Sequence, residues 1–406
     1  MRVIEGAINS PKGFKAGGTF IGIKRKRKDL ALVYSEVPAA YAAMFTTNRV
    51  KAACVVRNTQ VHAAGGPVQA VIVNSGKANA CTGKQGAADN EQMAELTGQQ
   101  LGIAASSVVT ASTGVIGVCL PMDVIEAGVQ QLVPTIDDEL LSGLNAAEAI
   151  MTTDTAIKTI AVAAVIGGVE VTIAGMAKGS GMIHPNMATM LSFVTTDAAV
   201  DQELLRQALR EIGSDTYNMI SVDGDTSTND MVMVLANGQA GNPKISEQNE
   251  DYQTLYEALH YVHEHLAKEI VKDGEGASKF VEVNVNGACS AVDAKKLVKS
   301  ILTSNLVKTA MFGEDANWGR ILCAMGYSGA EFEPEQATLR FEAGGGSMVL
   351  LEQGMPVDFD EDAAYKLLQN HDIRIVVSLR DGVATAVGWG CDLSYDYVKI
   401  NGEYRS

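Results

Sequence analysis

The stretch KTIAVAAVIGGVEVTIAGMA (residues 158–177) decides the fold class. Two β-rich arms are separated by Gly167 and Gly168. A two-residue hairpin turn needs positive φ at its central positions, which glycine adopts without steric cost, so the stretch predicts an antiparallel hairpin. Outward from it, LSFVTTDA, VQAVIVNSG and VVTASTGVIG read as strands, the last two running into glycine turns. DQELLRQALREI places Leu205, Ala208, Leu209 and Ile212 at helical spacing. Between Asp251 and Val271, Leu255, Leu259, Val262, Leu266 and Ile270 form one apolar helix face. Strands alternating with amphipathic helices predict an α/β or α+β class. The loop DGEGASK (residues 273–279) precedes the strictly alternating FVEVNVNG, which predicts a boundary near residue 280. The expected division is a main domain, 1–280, and a C-terminal α/β domain, 281–406.

The chain has 406 residues, enough for well-buried cores. Forty glycines and only 5% aromatics suit a closely packed α/β enzyme with many tight turns. A net charge of −16 argues against non-specific binding to nucleic acid or an anionic membrane. The one basic run, KRKRK (residues 24–28), lies between GTFIGI and DLALVYSE, two strand-like segments, and predicts a solvated hairpin tip. Six scattered cysteines, with no CxxC pair and small or apolar neighbours, predict buried free thiols rather than disulfides or zinc. The N-terminal MRVIEGAINSPKGF lacks the apolar core of a signal peptide. No stretch approaches ~18 uninterrupted apolar residues, so a soluble cytoplasmic protein is expected.

Several familiar motifs fail. GKANACTGK looks like a phosphate loop, but six residues separate Gly76 from Gly83 and Gln85 follows Lys84. DGDTSTNDMVMV begins like a calcium loop, yet Thr228 stands where the turn needs glycine and Val234 where it needs a bidentate glutamate. It reads as a polar turn, with an active-site loop as the alternative. His260 and His265 would point about 140° apart on a helix. They and His263 therefore read as surface histidines rather than metal ligands, and no metal is expected. There is neither a GxSxG elbow nor an HExxH pair.

A covalent enzyme without histidine needs another base, and HPNMATMLSF (residues 184–193) offers one. Cleavage before Thr189 would leave an α-amine beside the hydroxyl. Such an amine has a pKa of about 7.7–8.0, so roughly a tenth to a sixth of it is free base at pH 7. Gly179, Gly181 and Pro185 constrain the segment, and Ala188 is the small residue before the bond. Local chemistry alone leaves Thr189 a candidate beside the ordinary reading of a strand threonine.

The longer stretch KGSGMIHPNMATMLSFVTTDA (residues 178–198) resembles the cleavage-site signature of the ornithine acetyltransferase family, also called the bifunctional glutamate N-acetyltransferase family of arginine biosynthesis. FTTN, VNSG, ASTGVIG, TTDT, VDGDTSTND, KDGEGASK, SNLVKTA, DANWGR and CDLSYDYVKIN follow in the family's order from residue 45 to the C-terminus. The resemblance implies a layered sandwich of mixed sheets and helices, with autoproteolysis between Ala188 and Thr189. An α chain, 1–188, and a β chain, 189–406, would stay together as a heterotetramer of two α and two β chains. It further implies Thr189 as nucleophile, Thr113 and Gly114 as oxyanion hole, and substrate contacts at Thr155, Lys178, Thr189, Glu275, Asn401 and Ser406.

The substrates so implied are N2-acetylornithine and glutamate, with acetyl-CoA as a further donor and no cofactor. Each contact also has a plain structural reading: Lys178 as a surface charge, Glu275 as loop solvation, Thr155 as a helix cap. Ser406 stands where the family commonly ends in threonine, and Lys77 where it often has asparagine or cysteine. A self-processed N-terminal-nucleophile amidase or aminopeptidase is the alternative, and a non-catalytic binding protein a third.

Overall fold

The computed structural model describes residues 1–184 and 190–403. The strands are β1 (Arg2–Ile4), β2 (Phe14–Thr19), β3 (Leu30–Phe45), β4 (Val68–Lys77), β5 (Val108–Val115), β6 (Lys158–Ile166), β7 (Val169–Lys178), β8 (Leu191–Thr196), β9 (Ile220–Ser221) and β10 (Met231–Ala236). They continue with β11 (Phe280–Ala288), β12 (Thr338–Ala343), β13 (Gly346–Glu352), β14 (Met355–Pro356), β15 (Asp372–Ser378) and β16 (Ala384–Cys391).

β6 and β7 form the expected hairpin, Ile166 opposite Val169, with Gly167 and Gly168 at φ 56° and 79°. In the first sheet the order is β1-β6-β7-β8-β10-β3-β4-β5, and β2 pairs with β3. β3 is long enough to serve two halves: residues 40–45 pair with β10 and residues 30–34 with β2 and β4. The register breaks between Tyr34 and Ala39, where Pro38 cannot donate to the ladder.

The two halves share a core. Leu191, Phe193, Met231 and Met233 point from β8 and β10 toward Ala31, Val71, Val73 and Val109 of the other half. The alternate residues, Val194, Val232 and Val234, join the helices Gln202–Asp215 and Glu250–Lys272 in a second core. Leu30, Ile72 and Val108 pack with Met93, Ile125 and Val129 of Gly83–Leu101 and Met122–Leu132 in a third. The result is helices, sheet, sheet and helices in four layers. Because both faces of β8 and β10 are buried, their sequences are continuously apolar or small rather than alternating.

The second sheet runs β14-β13-β12-β15-β11-β16-β9. Residue 280 opens β11, but the edge strand β9 comes from residues 220–221. One hydrophobic core extends from Ala42 to Cys391 through both sheets. Among the described residues no helix is long and apolar enough to cross a membrane.

Three expectations need correction. His263 is fully buried, with Nδ1 3.0 Å from the Tyr217 hydroxyl and Nε2 without a partner among the described residues. It lies four residues after Leu259 and four before Ala267, inside the apolar stripe. Only Cys54 and Cys391 are buried, while Cys81, Cys119, Cys289 and Cys323 are exposed. In the helix Trp318–Gly326 the buried face belongs to Ile321, Ala324 and Met325, which turns Cys323 outward. The KRKRK tip does join β2 to β3 but is not simply solvated. Lys24 Nζ donates to the Met151 carbonyl at 2.9 Å, Arg27 to the Asp154 carbonyl at 2.8 Å, and Lys28 pairs with Glu148. Burial pushes Lys24 down to about 8.

Burial, and then His260, push the His263 imidazole down to about 3, so it folds neutral. The unfolded chain takes up a proton below about pH 6.5 that the folded chain refuses, so stability falls with acidity from pH 6.5 toward 3. Urea unfolding at pH 7 and pH 5 should show about 2 kcal/mol less pH-dependent loss in His263→Leu than in wild type. Equal losses would mean that His263 is protonated in the fold.

Candidate active site

Thr113 and Gly114 lie near the end of β5, beside Gly76 of the parallel strand β4. Gly114 has φ +126°, and a Cβ there would sit 2.4 Å from the Gly76 carbonyl carbon. Only glycine lets the two strand ends approach this closely. Lys178 ends β7 and is buried; its ammonium donates to the Thr113 hydroxyl at 3.4 Å. A hydroxyl that accepts from Lys178 keeps its own proton to donate into the cavity that both residues line.

Glu275 supplies the opposite charge to the same cavity. Its N–H donates to the Ser180 carbonyl at 2.9 Å, and its carboxylate lies against Gly181, where a Cβ would be 2.3 Å from the carboxylate carbon. Asn401, from the last helix, Tyr395–Glu403, donates to Glu275 Oε2 at 2.8 Å and to the Tyr397 carbonyl at 3.1 Å.

The loop 222–230 completes the cavity with Ser227, Thr228, Asn229 and Asp230. The Asn229 amide donates to the carbonyls of Ala78 and Ser112 at 2.6 and 2.7 Å, tying the loop to β4 and β5. At its other end the Asp223 carboxylate accepts the N–H groups of Met182 and Ile183 at 2.6 and 2.9 Å and the Tyr397 hydroxyl at 3.2 Å. Met182 is held at φ +57°, a left-handed conformation rare for a bulky residue. Burial raises the Asp223 pKa against the pull of its backbone donors. His184 Nδ1 lies 3.2 Å from the Ser221 hydroxyl, and burial, then Lys299, push its imidazole down to about 4. It is therefore neutral at pH 7. The chain is anchored as far as His184 and again from Met190, whose carbonyl accepts the Met231 N–H at 3.1 Å. Met190 and Leu191 both line the cavity.

Thr113, Gly114, Lys178, Glu275 and Asn401 thus come together, although 288 positions separate the first from the last. Thr155 is not among the lining residues. Its N–H and hydroxyl donate to the Asp273 carboxylate, and its neighbours Thr152 and Thr153 face the cavity instead. Ala188, Thr189 and Ser406 lie outside the described residues. Lys77 does not line the cavity. Ser227 to Asp230 read as a polar turn in the sequence. The signal for their role was the run of short hydroxyl, amide and carboxylate side chains immediately before the apolar strand β10. Among the described residues no three His, Cys, Asp or Glu side chains cluster as a metal site.

A family model described as the ArgJ family matches residues 15–406. A protein of Symbiobacterium thermophilum named arginine biosynthesis bifunctional protein ArgJ is 53% identical over 100% of both chains. Its namesake in Thermotoga neapolitana is 50% identical over 98% of this chain and 99% of its own. A crystal structure of the arginine biosynthesis bifunctional protein argJ of Bacillus halodurans is similar at 49% identity with a TM-score of 0.50. That match covers 53% of this chain and 100% of the crystal chain.

Proposed function

The chain belongs to the ArgJ family, and on that premise we propose that it moves the acetyl group of N2-acetylornithine to glutamate through an acetyl-threonine at Thr189, yielding ornithine and N-acetylglutamate in arginine biosynthesis. The observation that carries this reading is the meeting of Thr113, Gly114, Lys178 and Glu275 on the one cavity that Met190, the residue bonded to Thr189, also lines. Cleavage after Ala188 comes first and frees the Thr189 amine. The length of the Bacillus halodurans match supports it: residues 189–406 are 218 of 406, about 54%, against 53% covered.

In the transfer, the Thr189 amine takes the proton of its own hydroxyl as the oxygen attacks the acetyl carbonyl. The Gly114 N–H and the Thr113 hydroxyl stabilise the oxyanion. Lys178 directs the Thr113 proton toward it by occupying the other side of that oxygen. Collapse expels the ornithine amine, which takes the proton from Thr189. The glutamate amine then attacks the acetyl-threonine, and the steps run in reverse. Lys178 pairs with a substrate carboxylate, and Glu275 with Asn401 meets an amino group. Acetyl-CoA is a second donor to the same threonine, which fits the bifunctional name of the relatives. The route uses neither metal nor cofactor, and the working assembly is a heterotetramer of two α and two β chains.

Incubation with N2-acetylornithine alone should place one acetyl group on the peptide that begins at Thr189, seen by mass spectrometry, and added glutamate should remove it. Ornithine release that continues at full rate without glutamate would instead identify an amidase. The transfer rate should rise with pH through about 7.7–8.0, as the amine loses its proton. A rate independent of pH between 6.5 and 9 would rule out the amine as base.

A further inference from the structure

Lys178 has no ion-pair partner within 4 Å among the described residues, and its one hydrogen bond goes to the Thr113 hydroxyl. Its charge acts on Asp154, a carboxylate that nothing in the reaction above uses. Asp154 is fully buried. One carboxylate oxygen accepts from Lys158 Nζ at 2.8 Å and from the Gly179 N–H at 2.7 Å. The other accepts from the Thr152 N–H at 2.9 Å. Burial opposes its charge, but Lys178 and Lys158 outweigh that and hold the carboxyl well below the usual range.

The same network reaches the other side of the cavity. Lys158 Nζ bridges to Asp273 at 2.5 Å, and the Asp273 carbonyl accepts the Ser180 hydroxyl at 2.6 Å. The Ser180 carbonyl in turn holds the Glu275 N–H. From outside, the basic hairpin clamps the same strap, Lys24 on the Met151 carbonyl and Arg27 on the Asp154 carbonyl. A fully satisfied buried ionic network has a defined geometry, and removing one charge leaves the others uncompensated.

We propose that Asp154 is a positioning residue for the substrate carboxylate: it fixes the strap of Thr152 and Thr153 and the turn at Gly179, and through them aims the Lys178 ammonium into the cavity. The inference rests on the proposed reaction. Lys158 and Asp273 hold each other, so among the described residues Lys178 has no direct carboxylate pair and is open to the substrate.

The test is a double-mutant cycle in the processed enzyme, with KM and kcat measured for N2-acetylornithine and glutamate. Asp154→Asn should raise both KM values about tenfold and lower kcat as well, because Lys178 also orients the Thr113 hydroxyl. Lys178→Met should raise them too, and Asp154→Asn should add nothing in the Lys178→Met background. The pair Asp154→Asn/Lys158→Met removes one charge of each sign and leaves Asp273 with its Thr155 donors, so it should fold and show the same raised KM even if the single variant does not fold. Effects that add across the cycle, or a lower melting temperature with unchanged KM, would make Asp154 merely structural and overturn the inference. If Lys178→Met leaves both KM values unchanged, the substrate role of Lys178 falls first and this inference falls with it. The proposed reaction itself is judged separately, by acetylation at Thr189.

Discussion

Thr189→Ala should run as a single chain of 406 residues on denaturing electrophoresis, where wild type should give chains of 188 and 218. Its acetyl transfer should fall by about 10⁴-fold or more, as when other covalent enzymes lose their nucleophile. The two losses share one cause. The Thr189 hydroxyl is proposed both to cut the chain, taking the Ala188 acyl group from nitrogen to oxygen as an ester that water then hydrolyses, and, once its amine is free, to carry the acetyl group. Thr189→Ser keeps the hydroxyl and should still be cut and active, more slowly. An uncut wild-type chain with full activity would overturn the mechanism.

Gly114→Ala should reduce kcat by about 10²–10³-fold, the usual cost of displacing one oxyanion donor. A methyl at this position would sit 2.4 Å from the Gly76 carbonyl carbon and 2.7 Å from its Cα and oxygen, all backbone atoms with no rotamer to give way. The residue is also at φ +126°, where an L side chain is strained whatever the space. The ends of β4 and β5 would have to part, which would move the Gly114 N–H proposed as an oxyanion donor. Thermal unfolding should register a loss of about 1–3 kcal/mol. Wild-type kcat in this variant would place the oxyanion hole elsewhere. Gly76 is a useful comparison: a Cβ there meets the side chains of Ile23 and Lys24 at 2.9 and 3.0 Å, which can shift, so at φ +104° the backbone strain remains without the backbone clash.

Much of the fold was legible because its signals are local. The Gly167-Gly168 turn, the helical spacing of Leu205, Ala208, Leu209 and Ile212, and the alternation in FVEVNVNG each need only neighbours within one or two turns of chain. What was not legible was which side of each element met another. Cys323 and His263 show this: Cys323 sits among apolar neighbours yet faces out, while His263, next to Glu264 and His265, faces the core. Composition around a residue does not give its azimuth relative to a sheet that forms elsewhere. The KRKRK tip misled for a related reason, since its partners at Glu148, Met151 and Asp154 lie more than a hundred residues away.

The site divides in the same way. Sequence alone determined the family, through ordered motifs along almost the whole chain, and singled out Thr113, Gly114, Lys178, Glu275 and Asn401. It also supplied Thr189, which lies outside the described residues. Tertiary structure alone decided that those five face one cavity, that Thr152 and Thr153 line it where Thr155 turns to Asp273, and that the loop from Ser227 to Asp230 closes it. It alone exposed the Asp154 network, because a buried ion is recognised by its partners. Those partners, Lys158, Gly179, Asp273 and Arg27, come from four separate segments that meet only when the layers pack.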